Sequence, residues 1–182
     1  MRSKLTLMTA LMLFATPAFA RNAAPSSGQP IGQSGKTFLD FASEVNIGEI
    51  RQGLLAQQKA QSDAVKAFGR LMALDHSELE SQLYATVTLN NAQVPDKPSP
   101  AAEKQMEQLK SMSGDRFDSA YMNDMVKGHE KAVSRFQSEK LNAQNPAVLT
   151  VASSALPILQ QHLALAKAVD ASLREASLRA SR

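Results

Sequence analysis

Apolar side chains recur every three or four residues along four long stretches of this chain, and that spacing limits its fold more than any other feature. It gathers the apolar side chains on one face of an α-helix, whereas a half-buried strand alternates every second residue. No stretch shows the strand pattern. The composition agrees, because aromatic residues make up only 5% of the chain and its commonest residues favour helices. The sequence therefore predicts an all-α protein.

Turn and capping residues divide the periodic region into four long helices and one short helix. Ser62 is a typical helix cap, and both Ser99-Pro100 and Asn145-Pro146 combine a capping side chain with proline at the first helical position. The predicted helices span, in chain order, residues 37–60, 62–91, 99–112, 114–141 and 145–169. Short turns join the long helices in pairs. This order predicts a four-helix bundle with a short extra helix in the crossover between the two helical pairs.

The first twenty residues have the pattern of an export signal. Arg2 and Lys4 give a positive start, residues 5–15 are almost continuously apolar, and the following residues end in a small-x-small pattern at Ala20. We therefore expect residues 1–20 to be a signal peptide that is cleaved after Ala20. The apolar run is shorter than the ~20 residues that span a bilayer, although an uncleaved anchor stays open as the alternative.

The rest of the chain divides into three predicted parts. Residues 21–36 are rich in proline, serine and glycine and predict a disordered leader, 37–170 hold the bundle, and 171–182 form a polar tail. Without the signal peptide, 18 basic and 17 acidic side chains remain, so the net charge of +1 does not indicate a nucleic-acid surface. We expect a monomer or a dimer. We also expect no integral membrane span in the rest of the chain, because no other stretch is sufficiently apolar.

The chain contains no cysteine. Disulfides, thiolate metal sites and a lipoprotein anchor are therefore excluded. An exported protein of this kind relies on packing for its stability, and a bound metal is the only other candidate.

Three histidines, the only ones in the chain, each lie in the apolar stripe of a different long helix. Counted from the first turn, His76 and Glu49 differ in height by only ~5 Å, and His129 and His162 differ by the same amount about the second turn. Glu49, His76, His129 and His162 are therefore predicted to meet in the middle of the bundle, where helical proteins build metal sites. Three imidazoles and a carboxylate suit Zn, Cu, Fe or Mn.

A metal-free interpretation stays open beside this one. A buried histidine is often a core residue that is hydrogen-bonded to a neighbour, and such a core needs a complete network because unpaired polar groups cost ~1 to 3 kcal/mol each. Asp75, which precedes His76, is a candidate for orienting one of the imidazoles, or else a surface charge.

The positions around the histidines narrow the kind of metal site. A di-iron bundle carries Glu-x-x-His on two helices, but the residues three before the histidines are Ala73, Val126 and Leu159. Ferroxidase chemistry is therefore not expected. Met72 and Met125 lie one turn before His76 and His129, where a thioether favours copper or simply fills the core.

Several ordered motifs resemble the DUF4142 family of exported bacterial proteins, which is grouped with ferritin-like folds. They are Gly48-Glu49 through Leu55-Ala56, Met72-x-x-Asp75-His76, Ser113-Gly114-x-x-Phe117-Asp118-x-Ala120-Tyr121, Met125-Val126-x-x-His129 and Leu156-Pro157-x-Leu159-x-x-His162-Leu163. The resemblance covers residues 38–169 and implies a ferritin-like bundle in the envelope of a Gram-negative bacterium, with the glutamate and three histidines as the family's hallmark. It implies no activity. Gly69 departs from the family pattern, which usually has alanine there.

Together these observations predict a periplasmic helical bundle that binds one transition-metal ion through Glu49, His76, His129 and His162, for metal handling or envelope stress protection. A metal-free module that binds a partner protein or an apolar ligand is the alternative. Catalysis is less favoured, because neither a nucleophilic triad nor a phosphate-binding loop is recognisable.

Overall fold

A computed structural model describes residues 30–181, and helices make up 85% of this part of the chain. The helices are α1 (Gln33–Lys59), α2 (Asp63–Leu89), α3 (Pro100–Lys110), α4 (Gly114–Asn142) and α5 (Pro146–Ala180). No strand occurs within residues 30–181, and the all-α prediction is confirmed. The predicted signal peptide and most of the predicted leader lie outside the described residues.

Two helical hairpins pack against each other. Helix α1 pairs with α2 and α4 pairs with α5, while the two hairpins meet chiefly where α2 faces α5. The short helix α3 lies against α1 and α4. Ser99 caps α3 by accepting a hydrogen bond from the backbone N–H of Ala102, and Asn145 caps α5 in the same way, as their sequence patterns predicted.

The core consists of two apolar clusters separated by a polar layer. One cluster joins the first half of α1 to the last half of α2, and Leu79, Ala132 and Leu159 lie at its inner edge. The other joins the opposite ends of the same helices and includes Met72 and Met125. The residues that fall between the clusters are polar and buried: Ser43, Asn46, Glu49, Gln52, His76, His129 and His162. The helix-pair packing therefore places all three histidines at one level of the molecule.

The turn between α1 and α2 is tied to α4 by a buried aspartate. Asp118 accepts hydrogen bonds from the backbone N–H groups of Gln61 and Ser62, at 3.0 and 2.7 Å. These N–H groups lie at the start of α2, where a helix lacks internal partners and favours negative charge. Asp118 therefore stabilises the hairpin, and this structural task accounts for its place in the Phe117-Asp118 motif.

Two helices extend beyond their predicted ends. Helix α1 begins at Gln33 rather than Thr37, because the apolar side chain of Ile31 packs onto the first cluster and secures the helix start. Helix α5 continues to Ala180, ten residues past the predicted end of the bundle. This exposed extension carries the ion pair Arg174–Asp170 at 2.9 Å, one helical turn apart, a spacing that supports isolated helix. Helix α5 also continues through Pro157, which does not end it.

Helix α5 is long and apolar enough to cross a membrane by length and composition alone, so the prediction that no such stretch exists was wrong. A core helix passes the same test. Here Val148, Ala152 and Leu159 are buried among the other helices, and 39% of the apolar window is buried inside the protein.

Helices α1 and α2 approach closely where Gly53 faces Gly69. A Cβ atom on Gly53 would lie 2.4 Å from the backbone oxygen of Gly69 and 2.9 Å from the backbone nitrogen of Ala73. A Cβ atom on Gly69 would lie 2.7 Å from the Cβ atom of Ala56. Backbone atoms cannot move aside cheaply, so glycine is required at position 69 by this helix contact.

Replacing Gly53 by alanine is expected to lower the free energy of unfolding by about 3 kcal/mol, because the two helices must separate to admit the methyl group. Chemical denaturation measures this change. Gly128→Ala is the matched control: its Cβ atom would lie 3.6 Å from the nearest atom, an ordinary contact. The control is expected to raise stability by up to ~1 kcal/mol, since alanine favours helix. Equal stability of the two variants would refute the close-contact interpretation.

Candidate metal centre

The three histidine side chains meet in the polar layer between the two apolar clusters. The rings of His76, His129 and His162 have centroids 5.3 to 5.7 Å apart, and each side chain is at most 1% exposed. One ligand nitrogen from each ring lies within 4.8 Å of those from the other two. The convergence of the three histidines predicted from helix spacing is therefore present in the structure.

Each ring uses one nitrogen to contact an oxygen acceptor outside the cluster. The pairs are His76 Nδ1 with Asn46 Oδ1 at 2.9 Å, His129 Nδ1 with the Met125 carbonyl oxygen at 2.9 Å, and His162 Nε2 with Asp75 Oδ2 at 2.8 Å. A carbonyl or a carboxylate only accepts hydrogen bonds, so the contacting ring nitrogen carries the proton. The same arrangement orients metal-ligating histidines in proteins.

The opposite nitrogen of each ring is buried and has no hydrogen-bond partner. These atoms are Nε2 of His76, Nε2 of His129 and Nδ1 of His162. Because the proton of each neutral ring is on the other nitrogen, each of these atoms presents a lone pair. The three converging rings therefore hold three buried acceptors without a donor, an arrangement that is compatible with metal binding.

Burial keeps the rings neutral. It lowers the pKa of His76 well below 6.5, and the neighbouring His129 and His162 lower this pKa further. Burial and His162 lower the pKa of His129 to about 4, against the opposing effect of its hydrogen bond to Met125. The pKa of His162 is also lowered by burial, although Asp75 opposes the change. At neutral pH all three side chains are thus in the form that binds metals.

Glu49 lies in the polar layer but is not a member of the three-histidine group. Its carboxyl group faces α4, where a Cβ atom on Gly128 would lie 3.6 Å from Glu49 Oε1. The side chain is 8% exposed, and its Oε2 atom is buried without a partner. Burial and the nearby Asp124 raise the pKa of Glu49 from 4.5 to about 8.

Two further buried polar atoms near Glu49 lack partners. Gln52 lies one turn further along α1, and its Oε1 atom makes no hydrogen bond, nor does the hydroxyl of Tyr121 on α4. Burial and Glu49 raise the pKa of Tyr121 well above 10.0. Glu49 and Gln52 line a groove of about 500 Å³ between α1, α3 and α4, together with Asp124. This groove gives solvent access to the Glu49 side of the polar layer.

Comparison with known proteins agrees with the ordered motifs. Residues 20–169 match the family described as a domain of unknown function, DUF4142. The chain belongs to the DUF4142 family. No curated protein and no solved structure matches it.

In this DUF4142 protein the surroundings of the histidines also bear on two earlier alternatives. Asp75 bonds an imidazole, which confirms its orienting role, but that imidazole is His162 on α5 rather than its neighbour His76. Met72 and Met125 are buried in the second apolar cluster, as core-filling side chains are.

Sequence reasoning missed Asn46, which orients the ring of His76. The sequence position of Asn46 could have indicated this role, because Asn46 is a polar residue on the buried face of α1, one turn before Glu49. A polar residue on a buried face needs a partner, and the histidine stripe of the paired helix supplies one.

Proposed function

We propose that this DUF4142 protein binds a single transition-metal ion through His76, His129 and His162, with Glu49 as the fourth ligand. The observation that carries the proposal is that each of the three converging buried rings has one nitrogen without a partner, and that the three side chains offer ligand atoms within 4.8 Å of one another. Buried polar atoms almost always find partners, and three orphans at one point are unfavourable unless a ligand joins them.

The donor set fits borderline metals. Neutral imidazole nitrogens suit Zn, Cu, Fe and Mn, and they bind Zn at ~2.0 to 2.1 Å. The ligand atoms of the three histidines lie within 4.8 Å of one another, a spacing at which all three would hold one ion with at most small side-chain rotations. A bound ion would supply the positive charge that the three lone pairs lack.

Glu49 is proposed as the fourth ligand on grounds of charge. Three neutral imidazoles leave a divalent ion with its full charge in a buried environment, which is costly unless an anion is near. Glu49 is the carboxyl group on the buried face of α1, its Oε2 atom has no partner, and glutamate reorients easily about its side-chain bonds. It would release its proton on binding.

We further infer that the two hairpins form a ferritin-like four-helix bundle and that the protein acts in the periplasm of a Gram-negative bacterium, in metal handling or envelope stress protection. The hairpin pairing supports the first inference, and the basic, apolar and small-residue pattern of residues 1–20 supports the second. Fractionation of cells followed by mass determination tests export: the expected periplasmic species begins at Arg21, and an intact cytoplasmic species would contradict it.

Metal titration of protein purified without a chelator or a histidine tag tests the proposed function. We expect one equivalent of Zn²⁺, Cu²⁺, Fe²⁺ or Mn²⁺ by elemental analysis. Affinity is expected to decrease below pH 8, where a proton competes for Glu49, and to decrease further as the pH approaches 4, where a proton competes for His129. Less than a tenth of an equivalent of every metal, with no thermal stabilisation by any of them, would refute the proposal and favour a metal-free interaction module.

A further inference from the structure

A chain of hydrogen bonds extends outward from His76 through side chains of both α1 and α2. Asn46 accepts from His76 Nδ1 through Oδ1, and its Nδ2 donates to Glu80 Oε2 at 3.0 Å. Ser43 Oγ donates to the other carboxylate oxygen, Glu80 Oε1, at 2.6 Å, and also lies 2.8 Å from the Pro95 carbonyl oxygen. We call Ser43, Glu80, Asn46 and His76 the relay.

The donor and the acceptor of each hydrogen bond in the relay follow from the chemistry of its groups. The carboxylate of Glu80 only accepts hydrogen bonds, so the amide of Asn46 must present its NH₂ group to Glu80. Its carbonyl oxygen is then the only atom left for His76, and Nδ1 of His76 must carry the proton. The other ring nitrogen, His76 Nε2, is consequently unprotonated and presents a lone pair.

The opposite direction would disable the centre. If His76 carried its proton on Nε2, the cluster would contain an N–H in place of one of its three partnerless lone pairs. That single N–H could satisfy at most one of the other two nitrogens, and one ligand nitrogen would be blocked by a proton. The metal-free centre gains from this change, so something outside it must prevent it.

We propose that Glu80, acting through Asn46, is the positioning residue that holds His76 in its metal-binding tautomer. The proposal deepens the proposed metal function, but its first test needs no metal. Each of the other two histidines is held by a single group that only accepts hydrogen bonds. A backbone carbonyl holds His129, and the carboxylate of Asp75 holds His162. Only His76 depends on a side-chain amide. An amide can turn to present either its oxygen or its NH₂ group, so a second group is needed to orient it.

The tautomer can be measured by long-range ¹H–¹⁵N NMR of the histidine rings in the metal-free full chain. In the wild type we expect His76 to be protonated on Nδ1. In Glu80→Gln, the new amide can donate to Asn46 Oδ1, which lets Asn46 turn round, and a substantial Nε2-protonated population is expected. Glu78→Gln is the matched control, because Glu78 is an exposed glutamate on the same helix that accepts a hydrogen bond from Gln82 and has no place in the relay.

A double variant that combines Asn46→Asp with Glu80→Gln is the decisive rescue. The carboxylate introduced at position 46 would accept from both His76 and the amide at position 80. The carbonyl of that amide would accept from Ser43, so every bond of the relay regains a donor and an acceptor. We expect the Nδ1-protonated form to return. Tautomers that stay unchanged in Glu80→Gln, or that fail to return in the double variant although it folds, would overturn the proposal.

Metal affinity provides the second measurement. Loss of an orienting group typically weakens metal binding by roughly 10- to 100-fold, and we expect this loss for Zn²⁺ in Glu80→Gln with recovery in the double variant. If no variant and no wild-type protein binds metal, the proposed function fails while the NMR result still decides the relay. If metal binds equally well in Glu80→Gln, the positioning role is refuted.

Discussion

Replacing His129 by leucine is expected to abolish metal binding and the stability that comes with it. A ligand that binds only the folded state stabilises it by RT ln(1 + [L]/Kd), about 4 kcal/mol at a thousandfold excess over Kd. For a chain of this size that corresponds to a rise in Tm of about 10 °C. We expect the wild type, but not the variant, to show this rise by calorimetry when the metal is added.

The stability of the His129 variant without metal shows whether His129 acts as a ligand or as a structural side chain. His129 Nε2 has no partner, so leucine removes an unsatisfied atom and is expected to leave the metal-free stability unchanged or higher. Met125→Leu is the control, because the swap nearly conserves volume, costs less than ~1.5 kcal/mol, and should leave metal content unchanged. Metal that is lost from the Met125 variant and kept by the His129 variant would move the site to a thioether.

Helix spacing predicts the level of each histidine because an α-helix has a constant rise per residue. The short turns at residues 60–62 and 143–145 fix the origin from which that rise is counted. His76, His129 and His162 accordingly meet where the pattern places them. The helix ends are less predictable, because the start of α1 depends on packing of Ile31 and the end of α5 on exposed ion pairs.

The positions of flexible side chains cannot be predicted in the same way. Glu49 is at the expected level, but its direction depends on three side-chain torsions and on space beside Gly128, neither of which leaves a pattern in the sequence. The partner of Asp75 is on a different hairpin, 87 residues away, and only the packing of α2 against α5 brings the two together. Spacing therefore predicts which residues share a level, and tertiary contacts decide which atoms pair.

The buried carboxyl of Glu49 makes the stability of the metal-free protein depend on pH. Its pKa is about 8 in the folded chain, against 4.5 as an ordinary value, so the folded state retains a proton that the unfolded state has released. Any contribution of such a group is intact below pH 4.5 and is lost as the pH rises toward 8. At pH 8 the loss amounts to about 4 kcal/mol, since each pKa unit corresponds to ~1.4 kcal/mol.

Glu49→Gln isolates this effect, because glutamine keeps the shape and does not ionise. We expect the metal-free variant and wild type to have the same free energy of unfolding at pH 4, and the variant to be more stable by about 4 kcal/mol at pH 8. Urea denaturation at a series of pH values measures the difference. His129 acts in the opposite sense, since its pKa of about 4 lies below 6.5 and its contribution is lost on acidification through that range. Both proteins contain His129, so its contribution cancels in the comparison. A stability difference that does not change between pH 4 and 8 would show that Glu49 is ionised in the folded protein, and would contradict the prediction.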